Sequence, residues 1–337
     1  MPHSSPYLTL AERIEEAAAS PGSGSATFVV GGTEVVVPYA QLLDEARAVA
    51  AGLQGRGVGP GDHVALLGPT TRAFATTIEA VWLSGATLVV LPLPMRLGSI
   101  EEFAAATRSR MLAADVSLVV VDPDLAPFLD SEPGDPPTVL LNELAGDAAA
   151  FERPVYDPDA VAVLQFTSGS TADPKGVVLP NRTICANLDA VASAARLDPS
   201  SDVLVSWLPL YHDMGLVGFL MLPLTTGTPL VLGAPQDFLA APLRWMEWIS
   251  RYRGTATAGP NFAYVLATRA LRTASDIDLS SLRIALNGAE PVDPDSVENF
   301  VAEAARHAMD PGAVFPAFGM AEVMIGGAFQ EPALGLR

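Results

Sequence analysis

The chain has 337 residues, enough for about two domains, and half of them are hydrophobic against 17% charged. It can bury a large core and is not a disordered chain. Its 38 acidic residues outnumber 19 basic ones, for a formal charge of −19, which argues against general nucleic-acid binding and against docking on anionic lipid through a basic patch. A single cysteine, Cys185, leaves no intramolecular disulfide framework. The first twenty residues place Glu12, Arg13, Glu15 and Glu16 where a secretory signal needs an apolar stretch. The most apolar windows are broken by Ser84, Gly85, Pro92 and Pro94, or by His212 and Asp213, so neither supplies the ~20 apolar residues of a spanning helix. Composition thus predicts a soluble, cytoplasmic protein with no transmembrane segment.

Along the chain, Thr27–Val30 and Glu34–Val37 read as a hairpin around Gly31-Gly32. A helix over Tyr39–Leu53 follows, then a Gly/Pro stretch, strand His63–Leu67, helix Arg72–Leu83, strand Thr87–Leu91, helix Ser99–Ala113 and strand Ser117–Val121. Residues 122–158, rich in Pro, Asp and Gly, read as surface loops around a short strand at Val139–Leu141. A second series begins with strands Val161–Phe166 and Val177–Leu179, helix Arg182–Ala195 and strand Val203–Ser206. It continues with a helix near Leu216–Met221, strand Leu230–Leu232, helix Ala241–Tyr252, strand Thr255–Ala258 and helix Phe262–Leu271. Strand Leu282–Leu286, helix Ser296–Ala308 and strand Ala313–Ala317 complete it. Short strands between helices of about twelve residues predict two α/β lobes built on parallel sheets, with function at strand ends and in the crevice between lobes.

Of the 19 basic residues, 18 are Arg and one, Lys175, is Lys. A GC-rich coding bias accounts for the arginines; the exception suggests a position that needs a compact ammonium. Lys175 lies in Thr167-Ser168-Gly169-Ser170-Thr171-Ala172-Asp173-Pro174-Lys175-Gly176, directly after an apolar strand. Hydroxyls, glycines and one cation suit a loop that wraps phosphate oxygens. An ordinary polar turn is the alternative. The loop is not a Walker A: Pro174 falls where its second glycine belongs, Gly176 replaces the magnesium-binding hydroxyl, and a strand follows instead of a helix. No G-x-S-x-G elbow occurs, which removes the α/β-hydrolase reading.

Leu164-Gln165-Phe166-Thr167-Ser168-Gly169-Ser170-Thr171, with Pro174-Lys175-Gly176, resembles the phosphate-loop signature of the adenylate-forming superfamily of acyl-CoA synthetases, luciferases and peptide-synthetase adenylation domains. Trp207-Leu208-Pro209-Leu210-Tyr211-His212-Asp213-Met214-Gly215-Leu216, Asn287-Gly288-Ala289-Glu290-Pro291 and Phe318-Gly319-Met320-Ala321-Glu322 resemble its later motifs in order and spacing. With Gly259-Pro260-Asn261-Phe262-Ala263-Tyr264, the wording is similar to fatty acyl-AMP ligases, which join a fatty acid to AMP and pass the acyl group to an acyl carrier protein.

The resemblance implies an α/β fold of two parallel-sheet lobes, the N-terminal domain of such an enzyme without its C-terminal domain. The expected first subdomain is 55–200, with the phosphate loop; 1–54 and 201–337 form the second, with the acyl-pocket and adenine motifs. ATP and Mg²⁺ are the implied cofactors. Thr167, Ser168, Gly169, Ser170, Thr171 and Lys175 would cradle phosphates. Asn287, Gly288, Ala289, Glu290, Ala317, Phe318, Gly319, Met320 and Ala321 would form the nucleotide side, and Glu322 would hold Mg²⁺. His212 would border the fatty carboxylate, with Asp213, Met214, Gly215, Gly218, Phe219, Asn261, Phe262 and Tyr264 around the acyl chain. Lys175, His212 and Glu322 form the implied catalytic set. Taken singly, Glu322 reads equally as a solvated helix start, Phe318 as a core aromatic, and the acyl-side residues as helix core. The expected partners are a fatty acid and an acyl carrier protein or a polyketide or peptide synthase, with no nucleic acid.

The family's ribose-binding Thr-Gly-Asp motif and second catalytic Lys have no counterpart among the 337 residues. The expectation is therefore acyl-adenylate formation by a longer chain and weak or no turnover by residues 1–337 alone. A long-chain fatty acyl-CoA ligase, or a non-catalytic acyl- or nucleotide-binding module, is the alternative.

Overall fold

The computed structural model describes residues 8–93, 99–129, 132–166 and 176–329. Strand β1 (Ser25–Val30) turns into β2 (Thr33–Pro38) through Gly31 and Gly32, whose φ values of 58° and 81° are what a type I′ hairpin turn requires. Six strands follow: β3 (His63–Leu67), β4 (Thr87–Val90), β5 (Leu118–Val121), β6 (Thr138–Leu140), β7 (Val161–Phe166) and β8 (Gly176–Pro180). The remaining strands are β9 (Leu204–Ser206), β10 (Leu230–Gly233), β11 (Ala256–Gly259), β12 (Ile284–Asn287), β13 (Val314–Phe318) and β14 (Ala328–Phe329). One sheet has the order β6-β5-β3-β4-β7-β8; the other runs β14-β13-β12-β11-β9-β10-β1-β2.

The chain divides into two compact units, Met1–Glu16 with Ala40–Ala186 and Ala17–Tyr39 with Asn187–Arg337. These limits lie elsewhere than 54/55 and 200/201. The hairpin does join the second sheet, through β1 on β10, but the helix Tyr39–Gln54 falls, from Ala40 onward, in the first unit.

Within the first unit, β4 and β5 are buried along their whole length. That is why residues 88–91 and Leu118–Val121 read as continuous aliphatic runs instead of alternating ones. Ala65, Leu67, Val89, Leu91, Val119 and Val121 pack with Met111 and Ala114 in one apolar cluster. The α/β architecture is as expected, but the pairing is not purely parallel: β1–β2, β7–β8 and β13–β14 are antiparallel. Strand β8 sits at a sheet edge, a place that tolerates both Pro180 and the half-exposed Val178.

The helix Leu10–Ala19 is additional to the elements expected from the sequence. Its signal was present: the Thr9 amide donates to Glu12 Oε2 at 2.8 Å while the Glu12 amide reaches Thr9 Oγ1 at 3.4 Å, a capping box three residues apart.

In the second unit, β1, β10, β9, β11, β12 and β13 run parallel. Near their amino ends Asp202 is buried and accepts hydrogen bonds from Arg283 Nε at 2.8 Å and Thr255 Oγ1 at 2.7 Å. Burial alone would push its carboxyl up, but the bonds from Arg283, the Asp198 amide and Thr255 outweigh that and hold it below the usual range. This edge of the sheet is chemically closed.

The helix Arg72–Leu83 is capped by Thr71 and buried on every face from Phe74 to Leu83. Glu79 lies inside it, 1% exposed, and neither carboxylate oxygen has a hydrogen-bond partner among the described residues. Desolvation raises its pKa to about 8, against a lowering by Arg47 and a smaller raising by Glu45. The group is therefore mostly protonated at pH 7 in the folded chain, whereas the unfolded chain ionises near pH 4.5. Below that value both states hold the proton. Between pH 4.5 and 8 only the folded state does, so stability falls as pH rises, at up to about 1.4 kcal/mol per pH unit from this group. Glu79→Gln is expected to flatten the decline; urea melts at pH 5.5 and 7.5 that show the same loss for variant and unsubstituted chain would contradict the assignment.

Candidate active site

Parallel strands put all their carboxyl ends on one edge, the edge where open α/β sheets bind ligands. Here Gly259 of β11 is level with Asn287 of β12, and Asn287 with Pro316 of β13. The segments at the ends of β9, β11, β12 and β13 carry four of the five motifs singled out in the sequence, and these four lie in the second unit.

After β9, Trp207 is buried and stacks on Phe238 with centroids 3.8 Å apart, and meets Trp245 and Phe262 edge-on at 5.9 and 6.4 Å. Its indole Nε1–H has no partner among the described residues. His212 opens a short helix, Asp213–Leu216. Its Nδ1 lies 2.7 Å from Asp213 Oδ1 and 3.2 Å from the Met214 nitrogen, which is also 2.7 Å from Asp213 Oδ1. The Met214 amide thus donates to both His212 Nδ1 and Asp213 Oδ1. The His212 side chain is 46% exposed.

The helix continues as a π turn over Val217–Met221, the Leu222 amide reaching back to Val217 O, and resumes over Leu222–Thr226. Pro223, with no amide to donate, stands directly after the irregular bond. Gly215 is required by space: a Cβ there would stand 2.3 Å from Pro209 O. Gly218 is different, since its Cβ would meet only Ile325 Cδ1, at 3.5 Å. Met214 and Phe219 are buried.

After β11, Phe262 is 42% exposed at the start of the helix Asn261–Leu271. Tyr264, two residues on, is core: its ring lies between Trp245 and Phe300 at 5.1 and 4.9 Å, and its hydroxyl donates to Leu286 O at 2.8 Å. Asn287 at the end of β12 is fully buried, donates to Asn261 Oδ1 at 3.1 Å and leaves its own Oδ1 without a partner among the described residues. A Cβ on Gly288 would lie 2.8 Å from Ala317 O, and Ala289 has a left-handed φ of 69°.

At the end of β13, Phe318 is 64% exposed, with Met320 and Val323 also exposed nearby in sequence. Gly319 allows the chain to return: a Cβ there would be 1.8 Å from Ile325 O. Ala317 and Phe318 then pair with Phe329 and Ala328 of β14. Ala321 is buried, and Glu322 is exposed in a single 3₁₀ turn over Ala321–Val323. Asn187, which sequence reasoning passed over, pins this return by donating to Val323 O at 3.1 Å. A lone amide on a helix gave no signal of that role.

Thr167, Ser168, Gly169, Ser170, Thr171 and Lys175 lie outside the described residues. Their flanks are fixed: β7 and β8 are antiparallel neighbours with Phe166 opposite Gly176, so residues 167–175 connect the two strands. Among the described residues no group of three or more His, Cys, Asp and Glu could hold a metal ion. No described helix is long and apolar enough to cross a membrane.

Residues 14–335 match the family of AMP-binding enzymes, and the chain belongs to it. It is thus a member of the adenylate-forming superfamily, similar to fatty acyl-AMP and acyl-CoA ligases over the N-terminal domain region of these longer proteins. A putative ligase of Mycobacterium tuberculosis is 38% identical over 307 residues, 88% of this chain and 55% of the relative. The medium-chain-fatty-acid–[acyl-carrier-protein] ligase JamA of Moorena producens is 31% identical over 89% of this chain and 52% of its own length. The crystal structure of a fatty acyl-adenylate ligase from L. pneumophila, in complex with acyl adenylate and pyrophosphate, superposes with a TM-score of 0.87 at 27% identity, over 97% of this chain and 58% of that one. The chain spans a little over half the length of these relatives.

The two kinds of glycine in this site make opposite predictions. Gly319→Ala must displace the Ile325 carbonyl and is expected to cost about 1–3 kcal/mol, whereas Gly218→Ala, in a helical stretch with room for a methyl group, should stay within about 0.5 kcal/mol. Thermal melts of the two variants check this, and equal losses would contradict it.

Proposed function

We propose that this chain carries the acyl- and nucleotide-binding part of an ATP-dependent enzyme that joins a fatty acid to AMP, releasing pyrophosphate. The observation that supports it most is the carboxyl edge of the eight-stranded sheet. Exposed Phe318 and Phe262, the buried amide of Asn287 and the His212–Asp213 pair stand on the adjacent segments that follow β9, β11, β12 and β13. Exposed aromatic faces and an imidazole fit a ligand that is part nucleotide and part carboxylate.

The reaction is attack of an ionised carboxylate on the α-phosphorus of ATP. It asks the protein to align the reactants and hold spreading negative charge, not to supply a covalent group. The acid is already ionised at pH 7, so His212 has no proton to remove; its half-exposed imidazole positions the carboxylate through a ring N–H. Phe318 flanks the adenine, and Thr167 to Thr171 with Lys175 hold the phosphates. Glu322 is a lone exposed carboxylate, which fits a Mg²⁺ bound chiefly by phosphate oxygens and water. The magnesium, when present, offsets phosphate charge.

The acyl acceptor in this reading is an acyl carrier protein, as JamA's name states for that relative. Free CoA is the alternative, since a putative fatty-acid–CoA ligase of Mycobacterium tuberculosis is 29% identical over 92% of this chain. The family's second catalytic Lys has no counterpart here, Lys175 being the sole lysine, so residues 1–337 alone are expected to turn over slowly or not at all.

Thermal shift with a non-hydrolysable dodecanoyl-adenylate analogue, beside dodecanoate and AMP separately, tests the reading. At about 100 times its dissociation constant a ligand adds ~2.7 kcal/mol. The analogue should stabilise more than either half, and Phe318→Ala should abolish the gain. No shift with the unsubstituted chain, or an undiminished shift in Phe318→Ala, would count against it. In a chain extended to the relatives' length, Lys175→Ala is expected to slow adenylation about 10²–10³-fold, as loss of one preorganised charge partner does; an unchanged rate would remove Lys175 from the site.

A further inference from the structure

The helix Asn261–Leu271 starts without a cap of its own: Pro260 occupies the N-cap position and makes no side-chain bond there. The second amide of the helix, Phe262 N–H, donates instead to Glu290 Oε1 at 2.7 Å, from the segment after β12. The tie is returned, because Asn261 Oδ1 accepts the Asn287 side-chain amide at 3.1 Å and the Asp293 backbone amide at 3.3 Å. Between these anchors the chain passes through the left-handed Ala289 and the close approach of Gly288 to Ala317 O. A left-handed alanine persists only where its surroundings over-determine it, and these three hydrogen bonds supply that constraint.

We propose that Glu290 is a positioning residue. It acts through the start of the helix Asn261–Leu271 and holds Phe262, on the acyl side, at a fixed offset from the strand ends that face the nucleotide. Resting on the acyl-adenylate reading above, this replaces a direct nucleotide contact as the role of Glu290. Such a clamp contributes little to either half of the ligand alone and more to the two joined, since only the joined ligand needs both sides in register.

The test uses residues 1–337 with four chains: unsubstituted, Glu290→Ala, Glu290→Gln, and Glu290→Ala combined with Pro260→Ser. Serine is a strong N-cap and gives the helix back a cap without restoring the tie to the segment after β12. Calorimetry measures affinity for the dodecanoyl-adenylate analogue and for AMP, and amide hydrogen exchange reports on Phe262. In Glu290→Ala the analogue is expected to weaken about five- to tenfold, the size of one lost cap, with AMP affinity unchanged and Phe262 exchange faster by a similar factor. Glu290→Gln, whose carbonyl accepts the same bond, should recover both. The double variant should regain its melting temperature but not its affinity for the analogue.

Parallel weakening of AMP in Glu290→Ala would make Glu290 a nucleotide contact and overturn the proposal. Full recovery of analogue binding in the double variant would do the same, by reducing the residue to a helix cap. Failure of the unsubstituted chain to bind the analogue at all would instead overturn the acyl-adenylate reading, and the clamp with it.

Discussion

Close passage of backbone against backbone sets the whole carboxyl edge of the eight-stranded sheet. Gly215 against Pro209 O, Gly288 against Ala317 O and Gly319 against Ile325 O leave no room for a Cβ, and none of the three has a positive φ. Space, not conformational freedom, demands glycine at each. The approaches of Gly215 and Gly319 fall within the segments after β9 and β13, while that of Gly288 ties the segment after β12 to the end of β13.

The two ends of this sheet differ in kind. At the amino ends, Asp202, Thr255 and Arg283 satisfy one another, and the Arg283 guanidinium also donates to Ala195 O. At the carboxyl ends, Asn287 Oδ1 and Trp207 Nε1 lack partners among the described residues, Ala289 is left-handed, and Phe318 stands in solvent.

Much of this was legible in the sequence, for local reasons. Buried parallel strands such as Leu118–Val121 are unbroken aliphatic runs, the Gly31-Gly32 turn names its own hairpin, and four of the motif segments fall at strand ends. What was hidden depends on partners far along the chain. Glu290 bonds Phe262 across 28 residues, Asn187 bonds Val323 across 136, and Tyr264, grouped with the acyl side, belongs to the aromatic core between Trp245 and Phe300. Glu79 was equally silent, since one acid in an apolar helix resembles a surface residue until all faces prove buried. The helix Leu10–Ala19 is the reverse case, with a capping box three residues apart that is local and legible.

The π turn over Val217–Met221 amounts to one residue more than an α-helix would use for the same advance. Each helical residue turns the chain by about 100°, so the surplus residue resets which way the following side chains face. His212 and Met214 therefore lie in one angular frame and the stretch from Leu222 in another, although a single rod of chain carries both. A lineage that lost this one residue would keep every letter of the motif and still aim the second half of the rod at a different neighbour.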